Sequence, residues 1–131
     1  MVRILNISEG SIIALHAALL LSKGTDEPTT TSEAAEQMKV SAAHLSKVFQ
    51  RLAKAGIVRA VRGPRGGYLL GQPLSEIRLL DVLEAVEGPM KLNPCLLNAP
   101  RCGDDGCMLG GLLGTINNQV LQHFEKRLSE L

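Results

Sequence analysis

The chain has very few aromatic side chains: no tryptophan, one tyrosine and two phenylalanines among 131 residues. Proteins that bind single-stranded nucleic acids stack bases on several exposed rings, so this scarcity argues against that class. It also requires a core built from aliphatic side chains. Apolar residues make up 45% of the sequence, which is enough for such a core and excludes general disorder.

The sequence also lacks a long apolar run. Residues 12–21 are apolar except for His16, and this run is about half of the roughly twenty residues that a membrane-spanning helix needs. Glu9 lies where a signal peptide would be basic, and no small-x-small cleavage site follows Leu21. Three cysteines are an odd number, which does not suit a closed set of disulfides. We therefore expect a reduced, cytoplasmic protein with no membrane partner.

Acidic residues are absent between Glu36 and Glu76, whereas seven cations fall in the same stretch: Lys39, Lys47, Arg51, Lys54, Arg59, Arg62 and Arg65. Ordinary solvated surfaces mix both signs of charge, so this stretch indicates a surface for a polyanion. The net charge of +1 conceals a difference in charge between the two parts of the chain. Residues 1–78 carry ten Lys and Arg against six Asp and Glu, and residues 79–131 carry four against seven. We expect the basic part to contact duplex DNA.

Two helices joined by a short turn are predicted within this basic stretch. Thr30 and Glu33 have the spacing of a capping box for a helix over residues 31–38. Ser41 can cap a second helix, and Gly56 can adopt the left-handed conformation that ends it. One face of the second helix is apolar and the opposite face is polar and basic. This arrangement predicts a helix-turn-helix.

A β-hairpin is predicted directly behind the second helix. Residues 57–62 and 68–70 have the composition of strands, and the turn between them is rich in glycine and proline. The expected fold is mainly α with a small hairpin wing, that is, a winged helix-turn-helix followed by a long C-terminal dimerisation helix. Further helices are expected over residues 8–22 and 77–86.

The last helix is predicted to run from near Cys107 to the end of the chain, with one apolar stripe. This stripe could fold on its own domain or pair with a second copy, and pairing is favoured because two-fold dimers read two DNA half-sites. The expected division is a DNA-binding region over residues 1–78, a connecting helix and cysteine stretch over residues 79–107, and a dimerisation helix over residues 108–131.

Cys95, Cys102 and Cys107 lie on a stretch that contains proline and glycine and can bend. Thiolates gathered in this way suit zinc or an iron-sulfur cluster, and three free thiols are the alternative. Of the three histidines, His16 is the candidate for a fourth ligand, and Glu9, Asp104, Asp105 or a small thiol from solution are the alternatives. The competing interpretation of His16 is a buried helical residue with its ring hydrogen-bonded.

The chain resembles the IscR/NsrR family of winged-helix regulators, bacterial transcription factors many of which sense through an iron-sulfur cluster. The similarity is carried by residues 13–22, 32–58 and 77–88, by RGPRGGYLL at residues 62–70, and by the three cysteines that follow. It implies that the helix after Ser41 enters the major groove and that the wing lies against the minor groove or the backbone. The candidate DNA contacts are Ser41, Ala43, His44, Ser46, Lys47, Gln50, Arg51, Arg62, Pro64, Arg65 and Gly66.

The resemblance further implies that Cys95, Cys102 and Cys107 hold an iron-sulfur cluster, either 2Fe-2S or 4Fe-4S. The partner subunit's His16 is the candidate fourth ligand, because an RsrR-like branch of the family has a ligand histidine at this position. The chain departs from other members at Gly110 and Ile12, where those members place a histidine and an acidic ligand.

The function expected from the resemblance is that of a homodimeric DNA-binding regulator, such as a repressor, that senses redox state, nitric oxide or iron-sulfur status. A clusterless regulator that uses zinc or free thiols is one alternative. A protein-binding module that acts through a partner enzyme is another. An enzyme is not expected, because the sequence has no paired acid and base, no activated nucleophile and no phosphate loop.

Overall fold

The computed structural model describes residues 7–24, 26–92 and 107–131. These residues form five α-helices, a two-stranded hairpin and two short 3-10 helices. In chain order the elements are α1 (Glu9–Ser22), α2 (Thr31–Met38), α3 (Ala42–Lys54), β1 (Val58–Val61), β2 (Gly67–Leu70), a 3-10 helix (Leu74–Glu76), α4 (Leu79–Glu87), α5 (Gly110–Phe124) and a second 3-10 helix (Leu128–Glu130).

The starts of α2 and α3 are fixed by the predicted capping side chains. The Thr30 hydroxyl accepts a hydrogen bond from the Glu33 N–H, and the Glu33 carboxylate accepts one from the Thr30 N–H, so the capping box is complete. The Ser41 hydroxyl accepts from the His44 N–H at 3.3 Å. Between the two helices Lys39 adopts a left-handed conformation with φ +57°, which turns the chain sharply. The predicted helix-turn-helix is therefore present.

The core is aliphatic, as the shortage of rings requires. It lies where α1, α3, α4 and the root of the hairpin meet. The ring of Phe49 from α3 stacks on the ring of Tyr68 from β2, with centroids 4.4 Å apart. The inward face predicted for α3 is confirmed, because four of its side chains are buried: Leu45, Val48, Phe49 and Leu52.

Helix α1 is less buried than its apolar sequence suggests. Ile13, Ala14 and Ala17 are buried in the core, but Ile12 is 41% exposed and His16 is exposed on the same outer side. The interpretation of His16 as a buried histidine is therefore wrong. An apolar sequence around the whole helix could not show which side would face outward.

Helix α5 is shorter than predicted, because it ends at Phe124 and not at the end of the chain. The chain then turns, and Arg127 forms an antiparallel bridge with Arg78. Leu128 is buried in the core with 4% exposure. Leu128 falls at the spacing of the apolar stripe in the sequence, yet it reaches the core through a turn and a short 3-10 helix and not as part of α5. No helix in the described ranges is long and apolar enough to cross a bilayer.

Candidate DNA interface and ligand residues

The outward face of α3 is the first part of the candidate DNA interface. Ala43, Lys47 and Gln50 are exposed on it, and Ser46 is half-buried. The Ser41 hydroxyl is already engaged as the N-cap of the helix. Because the opposite face of α3 is packed in the core, the fold fixes which side of the helix presents these residues to solvent.

Two of the predicted contacts on α3 lie against other helices of the protein. His44 is half-buried, and its Nε2 lies 3.7 Å from the position that a Cβ on Gly10 would occupy, at the start of α1. The Arg51 Nη1 donates a hydrogen bond to the Val86 carbonyl oxygen at 2.7 Å. Val86 lies in the last turn of α4, which contains no basic residue of its own. Arg51 therefore supplies a cation to a helix end that favours one, and it joins α3 to α4.

The wing is a hairpin in which Val58 pairs with Leu70 and Val61 pairs with Gly67. Its turn is closed by a hydrogen bond of 2.9 Å from the Gly66 N–H to the Gly63 carbonyl. Gly67, with φ +149°, permits a close approach, since a Cβ there would lie 2.5 Å from the backbone of Thr29.

The root of the wing is fixed to the segment before α2. Tyr68 and Thr29 exchange two backbone hydrogen bonds of 2.8 and 3.0 Å. The Phe49 ring stacks on Tyr68 from the other side. The hairpin therefore has a defined direction relative to α3, with its turn pointing away from the core.

The turn of the wing carries the predicted Arg62, Pro64 and Arg65, all exposed, and the half-buried Gly66. Within the described part of the chain, the Arg62 and Arg65 side chains make no hydrogen bond or ion pair. All seven cations of the acid-free stretch are exposed. The surface formed by the outer face of α3 and the wing turn is therefore positive, and both wing guanidinium groups are available to phosphates.

The cysteine stretch is largely outside the described residues, which include Cys107 but not Cys95 and Cys102. Cys107 is an exposed free thiol, and its Sγ accepts a hydrogen bond from the Leu109 N–H at 3.4 Å. Leu109 is the residue before α5, so the thiol lies just ahead of the start of that helix. Among the described residues, no group of three His, Cys, Asp or Glu side chains is placed to hold a metal.

His16 lines an open groove between α1 and α2, with a volume of about 510 Å³. The floor of the groove is mostly apolar, and Glu9, Lys23 and Gln37 stand at its edge. The ring of His16 is thus accessible from outside the chain, as a ligand to a neighbouring molecule requires.

A group of charged residues that the sequence analysis did not single out joins α4 to the C-terminal segment. The Arg78 guanidinium donates to the Asp81 carboxylate at 2.8 Å and to the Glu125 carboxylate at 2.9 Å. Burial alone would raise the pKa of Asp81, but the hydrogen bonds from the Arg78 side chain and N–H lower it. Hydrogen bonds from the Arg78 guanidinium to Asp81 and to Glu125 raise the pKa of Arg78. The spacing of Arg78 and Asp81 suits a helix start, whereas nothing local signals Glu125.

The start of α1 is tied to the end of α4 by another carboxylate. The Ser8 N–H donates to the Glu87 carboxylate at 2.9 Å. Hydrogen bonds from the side chains of Ser8 and Ser11 and from the Ser8 N–H lower the pKa of Glu87. This contact fixes α1 against α4 close to the carbonyl that Arg51 contacts.

Comparisons with known proteins agree with this architecture. A family model described as Rrf2, iron-dependent transcriptional regulator, matches residues 7–130. YwgB of Bacillus subtilis (strain 168) is 34% identical over 129 residues, which is 90% of this chain and 83% of that protein. The HTH-type transcriptional regulator IscR of Photorhabdus laumondii is 32% identical over 108 residues. That match covers 82% of this chain and 62% of IscR, so the chain spans less than two thirds of that relative.

Solved structures show the same fold. CymR, the global cysteine regulator of B. subtilis, superposes with a TM-score of 0.75 at 24% identity, over 96% of this chain and 95% of CymR. The expected winged helix-turn-helix with a mainly helical remainder is confirmed. The family model covers nearly the whole chain, and it agrees with the resemblance drawn from the sequence motifs. The chain belongs to the Rrf2 family of transcriptional regulators.

Proposed function

We propose that this chain is a homodimeric transcriptional regulator that binds a duplex site with two-fold-related half-sites and senses through an iron-sulfur cluster. The proposal that the protein binds DNA rests on the positive surface formed by the outer face of α3 and the wing turn. That surface contains no carboxylate, and most of its cations have no partner within the described residues.

Different parts of this surface suit different parts of the duplex. Lys47 and Gln50 stand on a helix whose other face is packed, so they are our candidates for base edges in the major groove. Arg62 and Arg65 lie on an exposed turn and are our candidates for phosphates or the minor groove. Arg51 donates a hydrogen bond to α4 and His44 lies beside Gly10 of α1, and in the proposal both support the position of α3 in addition to any contact with DNA.

The homodimer is proposed from the exposure of α5. Leu112 is 56% exposed and Leu121 is 36% exposed, although both lie on a helix with an apolar stripe. A Cβ on Gly111 or Gly114 would have no neighbour within 4 Å among the described residues. A helix that presents leucines to solvent over most of its length is typical of an interface, and a second copy covers it in a symmetric dimer.

The proposed division of the chain follows from these assignments. Residues 1–78 contact DNA, residues 79–107 connect and carry the cysteines, and residues 108–131 dimerise. Helix α4 packs on α1 and α3 in the same core, so the connecting region starts from a firmly anchored helix.

The proposed cluster is assigned to Cys95, Cys102 and Cys107. Cys107 suits this assignment, since its thiol is exposed and lies just ahead of the start of α5. A bound cluster would supply reversible redox chemistry and reactivity toward nitric oxide. Cys107 lies three residues ahead of α5, so a change in the ligation of its thiol acts directly on one end of the dimerisation helix.

The test of the cluster is the visible spectrum, with iron and sulfide content, of protein purified without oxygen. A brown protein with equal iron and sulfide supports the proposal, and a colourless protein refutes it. The second candidate is a clusterless regulator that uses zinc or free thiols, for which Cys107 would supply an accessible thiol. Zinc or a titratable free thiol in the colourless protein would identify that candidate. If the protein is a module that acts only through a partner enzyme, it should show no salt-dependent binding to duplex DNA.

The partner subunit's His16 is the proposed fourth ligand, and its exposure on the groove between α1 and α2 supports a ligand shared between subunits. The test mixes a His16→Ala chain with a Cys95→Ala chain. If each site takes ligands from both subunits, one site of the heterodimer carries both defects and the other carries neither. About one intact cluster per heterodimer should then form. If all ligands come from one chain, both sites are damaged and the heterodimer holds no more iron than its parents.

A further inference from the structure

The segment after α5 is fastened to the segment before α4 by backbone hydrogen bonds on both sides of a bridge. The Leu79 N–H donates to the Lys126 carbonyl, and the Leu128 N–H donates to the Ile77 carbonyl, each at 2.9 Å. Between them, Arg78 and Arg127 face each other as an antiparallel bridge. We call this contact, formed by residues 75–81 and 125–128, the C-terminal clasp.

Side chains close the clasp further. The Arg78 guanidinium contacts the Asp81 carboxylate in the first turn of α4 and the Glu125 carboxylate at the C-cap of α5 at the same time. The Arg127 Nη1 donates to the Ser75 carbonyl at 2.7 Å. Ile77 and Leu128 are buried beneath these polar contacts, with 0% and 4% exposure. The Arg78 side chain therefore touches both helices.

The clasp lies at only one end of α5. Phe124, its last residue, is buried, whereas Gly111, Leu112, Gly114 and Thr115 near its start are exposed. Fifteen residues make a helix about 22 Å long at 1.5 Å per residue. In the described part of the chain, α5 is thus supported at its C-terminal end and extends from there.

We propose that Arg78 is a positioning residue for DNA recognition, which sets the half-site spacing that the protein binds by fixing the direction of α5 relative to α4. The inference rests on the proposed homodimer and its two-fold site. If two α5 helices form the dimer, the angle at each clasp determines where each DNA-binding region stands. A rotation of roughly 10° at one end of a 22 Å helix moves its other end by about 4 Å, which exceeds one base-pair step of about 3.4 Å.

The test compares Arg78→Met with Lys126→Met. Lys126 is the matched control, because it lies in the clasp and carries the same charge, while its side chain is exposed and its contribution to the clasp is a backbone carbonyl. The probe is a duplex selected by the wild-type protein from a random-sequence pool. Its half-sites are then moved together or apart by one and two base pairs, and a duplex with a single half-site is included.

The wild type and Lys126→Met should prefer the selected spacing by roughly tenfold or more over the altered ones. Arg78→Met should lose most of this preference, to within about threefold, while its dimerisation by sedimentation and its affinity for the single half-site stay within about twofold. Amide exchange at Leu79 and Leu128 should be faster in Arg78→Met only. A merely structural role would lower all affinities together and leave the spacing preference unchanged.

An unchanged spacing profile in Arg78→Met would overturn the inference, and so would loss of the dimer, which would make Arg78 part of the interface. If Arg78→Met does not fold, Glu125→Gln provides the same readout, because Glu125 is exposed and only its charge is removed. An unchanged profile in that variant also overturns the inference. If the wild type itself shows no spacing preference while it binds DNA as a dimer, the two-fold site fails, and the inference falls with it.

Discussion

Replacing both wing arginines with alanine should weaken DNA binding strongly and make it less sensitive to salt. The Arg62 and Arg65 side chains are exposed and make no hydrogen bond or ion pair in the described part of the chain. The turn itself is held by the Gly66 to Gly63 hydrogen bond, and the wing root is held by Tyr68. The free energy of unfolding should therefore change by no more than about 0.5 kcal/mol.

The size of the expected change in salt dependence follows from the number of phosphate contacts that the replacement removes. A homodimer has two wings, so the double replacement removes four arginines. Each phosphate contact contributes about 0.9 to the slope of log K against log salt, and four contribute about 3.6. Between 50 and 200 mM salt, a fourfold change, the ratio of wild-type to variant affinity should therefore shrink by about 150-fold.

The assay is a fluorescence anisotropy titration at several salt concentrations, with the selected duplex and with an unrelated duplex. The loss should be similar for both duplexes, because phosphate contacts do not read sequence. Lys126→Ala is the control, since it removes an exposed cation outside the proposed DNA interface. A slope that changes by less than about one for the double variant would mean that the wing does not contact the phosphates.

Three further outcomes test other parts of the structure. Lys47→Ala and Gln50→Ala should each cost about 1–3 kcal/mol on the selected duplex, and much less on unrelated DNA, in competition assays with base-substituted duplexes. Single Cys→Ala changes at positions 95, 102 and 107 should each abolish bound iron and leave thermal unfolding nearly unchanged, since the core of the described residues contains no cysteine; three variants with full iron would exclude the cluster. The hydrogen bonds that lower the pKa of Glu87 stabilise the folded state, and their full contribution is present at pH values above the ordinary glutamate pKa of about 4.3. This contribution is lost as the pH falls through the lower pKa of Glu87 in the folded state. Denaturant titrations at pH 6 and pH 3 should therefore show a smaller loss for Glu87→Gln than for the wild type, and an equal loss would place the acid sensitivity elsewhere.

Local signals in the sequence were sufficient for the DNA-binding half of the fold. The capping box of Thr30 and Glu33 and the N-cap of Ser41 involve hydrogen bonds over three residues, so their spacing could be read directly. The turn of the wing is equally local. The apolar face of α3 was predictable because its opposite face is strongly polar, which leaves one orientation for the helix.

Contacts between distant residues could not be predicted in the same way. Leu128 keeps the helical spacing of the apolar stripe, yet the chain leaves the helix after Phe124 because Leu128 is buried against the segment that contains Ile77. Arg78 and Glu125 are separated by 47 residues, and no spacing rule connects them. His16 lies on a helix that is apolar on nearly every side, so periodicity did not identify its exposed face.

Helix α4 connects the two parts of the molecule that the proposed regulator must coordinate. At its C-terminal end, the Val86 carbonyl accepts a hydrogen bond from Arg51 of α3. At its N-terminal end, Arg78 contacts Glu125 at the end of α5. These two arginines act at opposite ends of a nine-residue helix, about 13 Å long, whose inner side is buried in the core. Because a packed helix of this length moves as one body, we expect a shift of α5 that tilts α4 to change the position of α3.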